Sequence, residues 1–360
     1  MIDCQIYIKL LQDLIATPSF SREEDKTADI IQQFFQNKNI PTERKGNNVW
    51  VKNAHFTEGV STVLLNSHHD TVKPVSGWTR DPFAPDIVDG KLYGLGSNDA
   101  GASLVSLIAA FCYFYDKKLP FNLILLASAE EEISGKNGVE SVLPDLPIPF
   151  PTESGFRSST VGIVGEPTLM GMAVAEKGLM VVDGIARGKA GHAARNEGVN
   201  AIYIALDDID KIRNYDFEKK SDLLGAVKMS VTQIQAGTQH NVVPDECRFV
   251  IDIRTNECYS NKEVYEIIQK EVQSELMPRS FRLNSSKIAL DHPLILRGLE
   301  LGMTYYGSPT LSDQALMSFP TLKIGVGDSA RSHTADEFIY IEEIEHGIDT
   351  YIQLLQNWEL

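Results

Sequence analysis

Apolar residues recur at a helical interval along the first twenty positions. Ile6, Leu10 and Leu14 share one face, while Lys9 and Asp13 interrupt the run. That pattern predicts an amphipathic helix and no signal peptide, whose apolar stretch is unbroken and comes after a basic start. Ser21-Arg22-Glu23-Glu24 has capping-box spacing. Ser21 and Glu24 are expected to satisfy free amides at the start of a second helix, which runs to about residue 36.

Beyond that point the pattern alternates between two kinds of apolar segment. Residues 62–67 (TVLLNS), 122–129 (NLILLASA), 160–165 (TVGIVG) and 322–326 (LKIGV) are short, β-prone and continuously apolar. Residues 100–115 (AGASLVSLIAAFCYFY) form a long apolar helix candidate, and EEIEHGIDTYIQLLQN a final helix. Strands without alternation are covered on both faces, so the predicted fold is α/β: a mixed, mainly parallel sheet sandwiched by helices. Residues 171–281 read differently, in the order strand, helix, strand, strand, helix, strand, which is that of a ferredoxin-like α+β sandwich. The expected organisation is a discontinuous domain of residues 1–171 and 284–360, with residues 172–283 inserted.

Charge narrows the possible partners. Forty-nine acidic against 33 basic residues leave a formal net charge of −16, which repels polyanions and argues against nucleic acid. The apolar runs are too short to span a bilayer, and a soluble cytoplasmic protein is expected. Four cysteines (Cys4, Cys112, Cys247 and Cys258) lie far apart with no CxxC spacing, so buried reduced thiols are expected.

Open α/β sheets bind ligands at the carboxyl ends of their strands, so the residues just past each apolar strand are informative. After TVLLNS come His68-His69-Asp70, after NLILLASA Glu130-Glu131-Glu132, and after TVGIVG Glu166-Pro167. Asp99, in GLGSNDAG, precedes the long helix, and His333, in SHTADEF, lies beyond the last strand. Each piece alone has an ordinary reading: a surface histidine, a solvated helix start, a turn. Together they place unpaired carboxylates and imidazoles on one rim, where bound divalent cations would relieve the repulsion. Zinc accepts both nitrogen and carboxylate oxygen, and two ions about 3.5–4 Å apart can share a water and polarise a carbonyl. Glu131, beside Glu132, is placed to take the water's proton.

These residues resemble the zinc aminoacylase family, which includes acetylornithine deacetylase, succinyl-diaminopimelate desuccinylase, aminoacylase and carboxypeptidase G. The resemblance covers nearly the whole chain. Its motifs are His68-His69-Asp70-Thr71-Val72-Lys73-Pro74, Gly94-Leu95-Gly96-Ser97-Asn98-Asp99, Glu131-Glu132, Gly165-Glu166-Pro167-Thr168 and His333 in HTADEF. It implies a zinc-exopeptidase-like fold in which Asp99 bridges two Zn2+ ions, or Co2+ or Mn2+. His68 and Glu166 would hold one ion, Glu132 and His333 the other. Asp70 would accept a hydrogen bond from the His68 ring, and Glu131 would act as general base. A cis peptide after Asp99 is implied as well.

Within residues 172–283, Gly191-His192 together with Gly198-Val199-Asn200-Ala201 resembles a lid segment whose histidine reaches the partner subunit's site. His192 would there stabilise an oxyanion, which implies a homodimer. Asn241 and Arg254 resemble residues that grip the substrate; taken alone, Arg254 is equally an ion-pair partner. Three positions depart from the family pattern: His69 is an extra imidazole, Leu95 stands where many members carry arginine, and Lys73 lengthens the turn before Pro74. Strand alternation puts His68 and Asp70 on one side, which favours His68 as the ligand.

The implied activity is removal of an acyl group from a small N-acyl amino acid, with N-acetylornithine, and hence arginine biosynthesis, as the closest resemblance. Desuccinylation of succinyl-diaminopimelate, acylcitrulline deacylation and dipeptide cleavage use the same chemistry. A non-catalytic binding protein would have lost a ligand or the base, and none is missing. A serine hydrolase is disfavoured because no GxSxG element is present.

Overall fold

The computed structural model describes residues 2–149, 160–195 and 197–358. It divides into two compact units, one of residues 1–174, 287–306 and 312–360, the other of residues 175–286 and 307–311.

The first unit is built on a mixed sheet. Four strands at its centre run parallel, in the order Asn122–Ser128, Thr62–His68, Thr160–Val164 and Thr321–Lys323. Asn48–Lys52 pairs antiparallel with the first of them and Met172–Glu176 with the last. The first three central strands are buried at every residue, as their unbroken apolar runs require. Ala102–Phe114 is buried over most of its circumference and packs against Thr62–His68 and the final helix, Ile341–Leu355. Each fully buried Leu, Ile or Phe in these elements contributes about 1.5–3 kcal/mol of transfer free energy. The register sets His68 beside Ser128 and Val164 beside Lys323, so the carboxyl ends of all four strands lie on one edge.

Two N-terminal expectations need correction. The first helix, Gln5–Ile15, buries Leu10 and Leu14, but Ile6 is 43% exposed. The second helix, Asp25–Asn37, has no side-chain cap. Ser21 donates instead to the Asp70 carboxylate (2.7 Å), and Glu24 accepts from the amides of Arg22 and Glu130 and from the Asn47 side chain. A buried tertiary acceptor outcompetes the helix end.

In the second unit, Lys228–Ala236, Glu246–Arg254, Met180–Arg187 and Glu275–Pro278 form an antiparallel sheet in that spatial order. Helices Ala201–Asn214 and Asn261–Glu271 complete the ferredoxin-like order, and Ala205, Val264 and Ile268 share a core with Val182, Phe249 and Ile251. The second of these helices carries a complete capping box between Ser260 and Glu263.

All four cysteines are free, but only Cys247 is buried; Cys4, Cys112 and Cys258 are half-buried. No helix among the described residues is long and apolar enough to cross a membrane.

Candidate metal centre

His68 is the last residue of its strand, and its side chain is 1% exposed. Its Nδ1 donates to the backbone carbonyl of Asp70 at 3.0 Å, with the Asp70 carboxylate at 3.4 Å. The carbonyl, and not the carboxylate expected from the sequence, is therefore the nearer acceptor. This contact points Nε2 at Asp99 Oδ1 (3.4 Å) and Glu166 Oε1 (3.8 Å). From the far side His333 Nε2 lies 3.0 Å from Glu132 Oε2 and 3.6 Å from Asp99 Oδ2. Donor atoms of His68, Asp99 and Glu132 lie within 4.8 Å of one another, and so do those of His68, Glu131 and Glu166. All the proposed ligands and Glu131 thus converge on one cluster. The Asp99–Ala100 peptide is cis.

Asp70 does more than touch His68. Its carboxylate accepts from Ser21 and from the amides of Glu131 (3.0 Å) and Glu132 (3.2 Å), so one buried acid orients the imidazole and the paired glutamates together. Burial opposes its ionisation, but the His68 ring and these donors keep its carboxyl below the ordinary range.

His69 is excluded from the cluster. Its Nε2 donates to the Asn47 carbonyl (2.9 Å) and its Nδ1 faces the Thr27 hydroxyl (2.9 Å). Burial lowers its pKa to about 4, which keeps the ring neutral. Its imidazole is held by Asn47 and Thr27, on elements apart from the cluster.

Two acids of the cluster, Glu166 and Glu131, hold protons they would ordinarily lose. Burial first, then the neighbouring Asp99 and Asp313 charges, push Glu166 up to about 8. Burial and Glu166 push Glu131 well above the usual carboxylate range. His333 rises to about 9, chiefly through its hydrogen bond to Glu132. For His68, burial acts downward, but Asp70 and Asp99 outweigh it and the pKa is raised. Asp99 is held low, because His68 overcomes the cost of burial.

Sequence reasoning missed three side chains here. Glu337 is buried and accepts from the amides of Gly96, Asn98 and Asp99. Asn98 holds Asp328 and Ser332, in the segment leading to His333. Asp313 accepts from Asn66 (3.0 Å) and Ser128 (2.7 Å) beneath Glu131 and Glu166. Glu337 stands within the HTADEF motif and Asn98 within GLGSNDAG; nothing in sequence marks Asp313 off from other polar residues.

His192, Asn241 and Arg254 belong to the second unit. His192 is exposed in a two-residue strand paired with Val242–Val243, and its Nδ1 accepts from the Ala194 amide. Asn241 is exposed, and its carbonyl accepts from the Ala193 amide. Arg254 forms a two-pronged ion pair with Asp252 (2.8 and 3.1 Å), the ion-pair reading that its sequence left open.

The residues present fit divalent cations. His68 Nε2 and Glu166 Oε1 are buried, with no hydrogen-bond partner among the described residues. Two imidazoles and several carboxylates within about 4 Å form a donor set that suits zinc-like ions. Asp99 faces both histidines, with one oxygen toward each. Such ions, when bound, polarise a carbonyl and lower the pKa of a water.

Comparison with known proteins agrees with this chemistry. Residues 64–357 match the family model described as peptidase family M20/M25/M40. The chain is 28% identical to a succinyl-diaminopimelate desuccinylase of Cereibacter sphaeroides over 279 residues, covering 73% of this chain and 71% of that protein. The crystal structure of the aminopeptidase PepT from Bacillus cereus superposes with a TM-score of 0.75 at 19% identity, covering 98% of each chain. A Bacillus subtilis protein described as a dinuclear metal binding peptidase of the M20 family gives a TM-score of 0.72 at 18% identity, again covering 98% of each chain. The chain therefore belongs to the peptidase family M20/M25/M40 and is a metal-dependent hydrolase acting on amide bonds.

Proposed function

We propose that this amidohydrolase removes an acyl group from the nitrogen of a small amino acid, using two cations held by His68, Asp99, Glu132, Glu166 and His333. The observation that carries the reading is the convergence of those donors around Glu131, whose carboxyl keeps a raised affinity for protons. A carboxylate of that kind suits proton transfer near neutral pH. Glu131 would take the proton from the attacking water and return it to the departing amine. Asp70 would hold the Glu131-Glu132 turn in place through the two amides it already accepts. Zinc is the proposed metal, with Co2+ and Mn2+ compatible with the same donors.

N-Acetylornithine is the substrate to which the sequence resemblance points, and arginine biosynthesis the corresponding setting. The similarity to a desuccinylase supports a second reading, release of succinate from N-succinyl-diaminopimelate. His192 is proposed to act on the oxyanion across a homodimer, with Asn241 and Arg254 meeting the substrate. For Arg254 this requires the substrate carboxylate to displace or share the Asp252 pair.

Kinetics of the zinc-loaded protein on four substrates test the proposal: N-acetylornithine, N-succinyl-diaminopimelate, an N-acylcitrulline and a dipeptide. One of the acylated amino acids is expected to exceed the dipeptide in kcat/KM by about two orders of magnitude, roughly the loss when a buried polar or charged group is left unpaired. Preference for the dipeptide would make the chain a peptidase. No turnover of any of the four by a zinc-saturated protein would reject the deacylase reading.

A further inference from the structure

The donors of the cluster are positioned in two different ways. His68, Glu131 and Glu166 stand at or just beyond the ends of parallel strands, and sheet register sets their spacing. Asp99 and His333 stand on two loops, Ser97–Gly101 and residues 328–337, that the main sheet does not align.

What aligns these loops is a reciprocal tie. The Glu337 carboxylate, on a residue 2% exposed, accepts from the amides of Gly96 (3.2 Å), Asn98 (2.8 Å) and Asp99 (2.9 Å). In the opposite direction Asn98 Oδ1 accepts from the Asp328 amide (3.0 Å). Asn98 Nδ2 donates to the Asp328 carbonyl (3.1 Å) and to Ser332 Oγ (3.3 Å). Each loop holds the backbone of the other through one buried side chain. Gly327 makes room for this: its φ is +92°, and a Cβ there would lie 2.3 Å from Asn98 Oδ1. Backbone pairing of Tyr93 with Phe338 and a bond from the Gly94 amide to the Glu337 carbonyl close the same seam. His333 Nε2 and Asp99 Oδ2 are left 3.6 Å apart.

We propose that Glu337 and Asn98 are positioning residues that set the affinity of the Asp99–Glu132–His333 side of the cluster for its cation, and affect the His68–Glu166 side, which shares only one oxygen of Asp99, less. The proposal rests on the two-cation reading of the cluster. A carboxylate is required at 337 because three donors converge on it, and both its oxygens accept. An amide would turn an N–H against one of those donors.

Chelator-stripped wild-type, Glu337→Gln and Asn98→Ala proteins, titrated with Zn2+ in a calorimeter, test this. Wild type is expected to take up two equivalents. Each variant is expected to weaken one site by about tenfold or more, as loss of a ligand's hydrogen-bonded support does, and the other clearly less. A parallel Co2+ titration should lose the second absorption step and keep the first. Unchanged second-site affinity in the variants, or equal weakening of both sites, would overturn the proposal. If Glu337→Gln fails to fold by circular dichroism, Asn98→Ala decides alone, since it leaves the buried Glu337 carboxyl in place. Fewer than two equivalents on wild type would remove the two-cation reading itself, and the proposal with it.

Discussion

His68 Nε2 and Glu166 Oε1 face each other across 3.8 Å, both buried, and neither has a hydrogen-bond partner among the described residues. Polar atoms shielded from water almost always find a partner, and an orphaned pair so close together marks a place where something else belongs. The raised pKa of Glu166 carries the same message: without cations the site holds protons in their place.

Glu131→Gln should leave the zinc content at the wild-type value and lower kcat by about 10²–10⁴-fold, the usual range for removal of a general base. Metal analysis beside steady-state kinetics checks this. Wild-type kcat in a variant with full zinc content would remove Glu131 from the proton path.

The neighbouring histidines should part company. His68→Ala is expected to lose at least one equivalent of zinc, because Nε2 is aimed at both Asp99 and Glu166. His69→Ala should keep both equivalents but lose about 1–3 kcal/mol of stability, as its contacts with Asn47 and Thr27 disappear. Zinc analysis and urea unfolding separate the two. Equal zinc loss in both variants would contradict the assignment.

Stability of the metal-free protein should fall as pH rises from 6.5 to 8.5. Glu166 and Glu337 have folded pKa values raised to about 8, against an ordinary 4.5, through burial first and then neighbouring acids. The folded state binds these protons more tightly than the unfolded chain, so their contribution is complete below about 4.5 and is lost as pH passes 8. His333, raised to about 9, acts in the same direction, weakened by its half-exposed side chain. His69, lowered to about 4, acts only below 6.5 and is silent in this window. Zinc should therefore raise Tm more at pH 8.5 than at 6.5, as the ions replace departing protons. A flat or rising Tm in chelator, or an equal zinc effect at both values, would contradict the proton inventory.

Mixing His192→Ala with Glu131→Gln protein should restore part of the activity that each lacks. A mixed dimer would join an intact base on one subunit to an intact lid histidine on the other. Absence of recovery after proven subunit exchange would place His192 in its own subunit's chemistry or outside it.

The cluster was legible in sequence because parallel strands deliver the residues at their carboxyl ends to one edge. His68, Glu131 and Glu166 needed only the recognition of three apolar runs. His68 could also be told from His69 by alternation alone. Local patterns were less dependable. Ser21–Glu24 and Ser260–Glu263 have identical capping-box spacing, yet only the second forms the box. The Ser260–Glu263 bond lies at the surface, where Glu263 is the best partner at hand; beside Ser21 lies the buried carboxylate of Asp70. Glu337 and Asn98 stand within recognisable motifs, but their roles could not be read, because their partners are mainly backbone groups brought near only when two distant loops close.

The order of these residues along the chain has a consequence for biosynthesis. His68, Asp99, Glu132 and Glu166 leave the ribosome well before His333 and Glu337, which lie far downstream. An ion that depended on His333 would have to wait for residues 328–337 to emerge and close against the Asp99 loop. Loading of that ion would then come after the first donors have folded, open to competition from whatever free metal the surroundings supply at that moment.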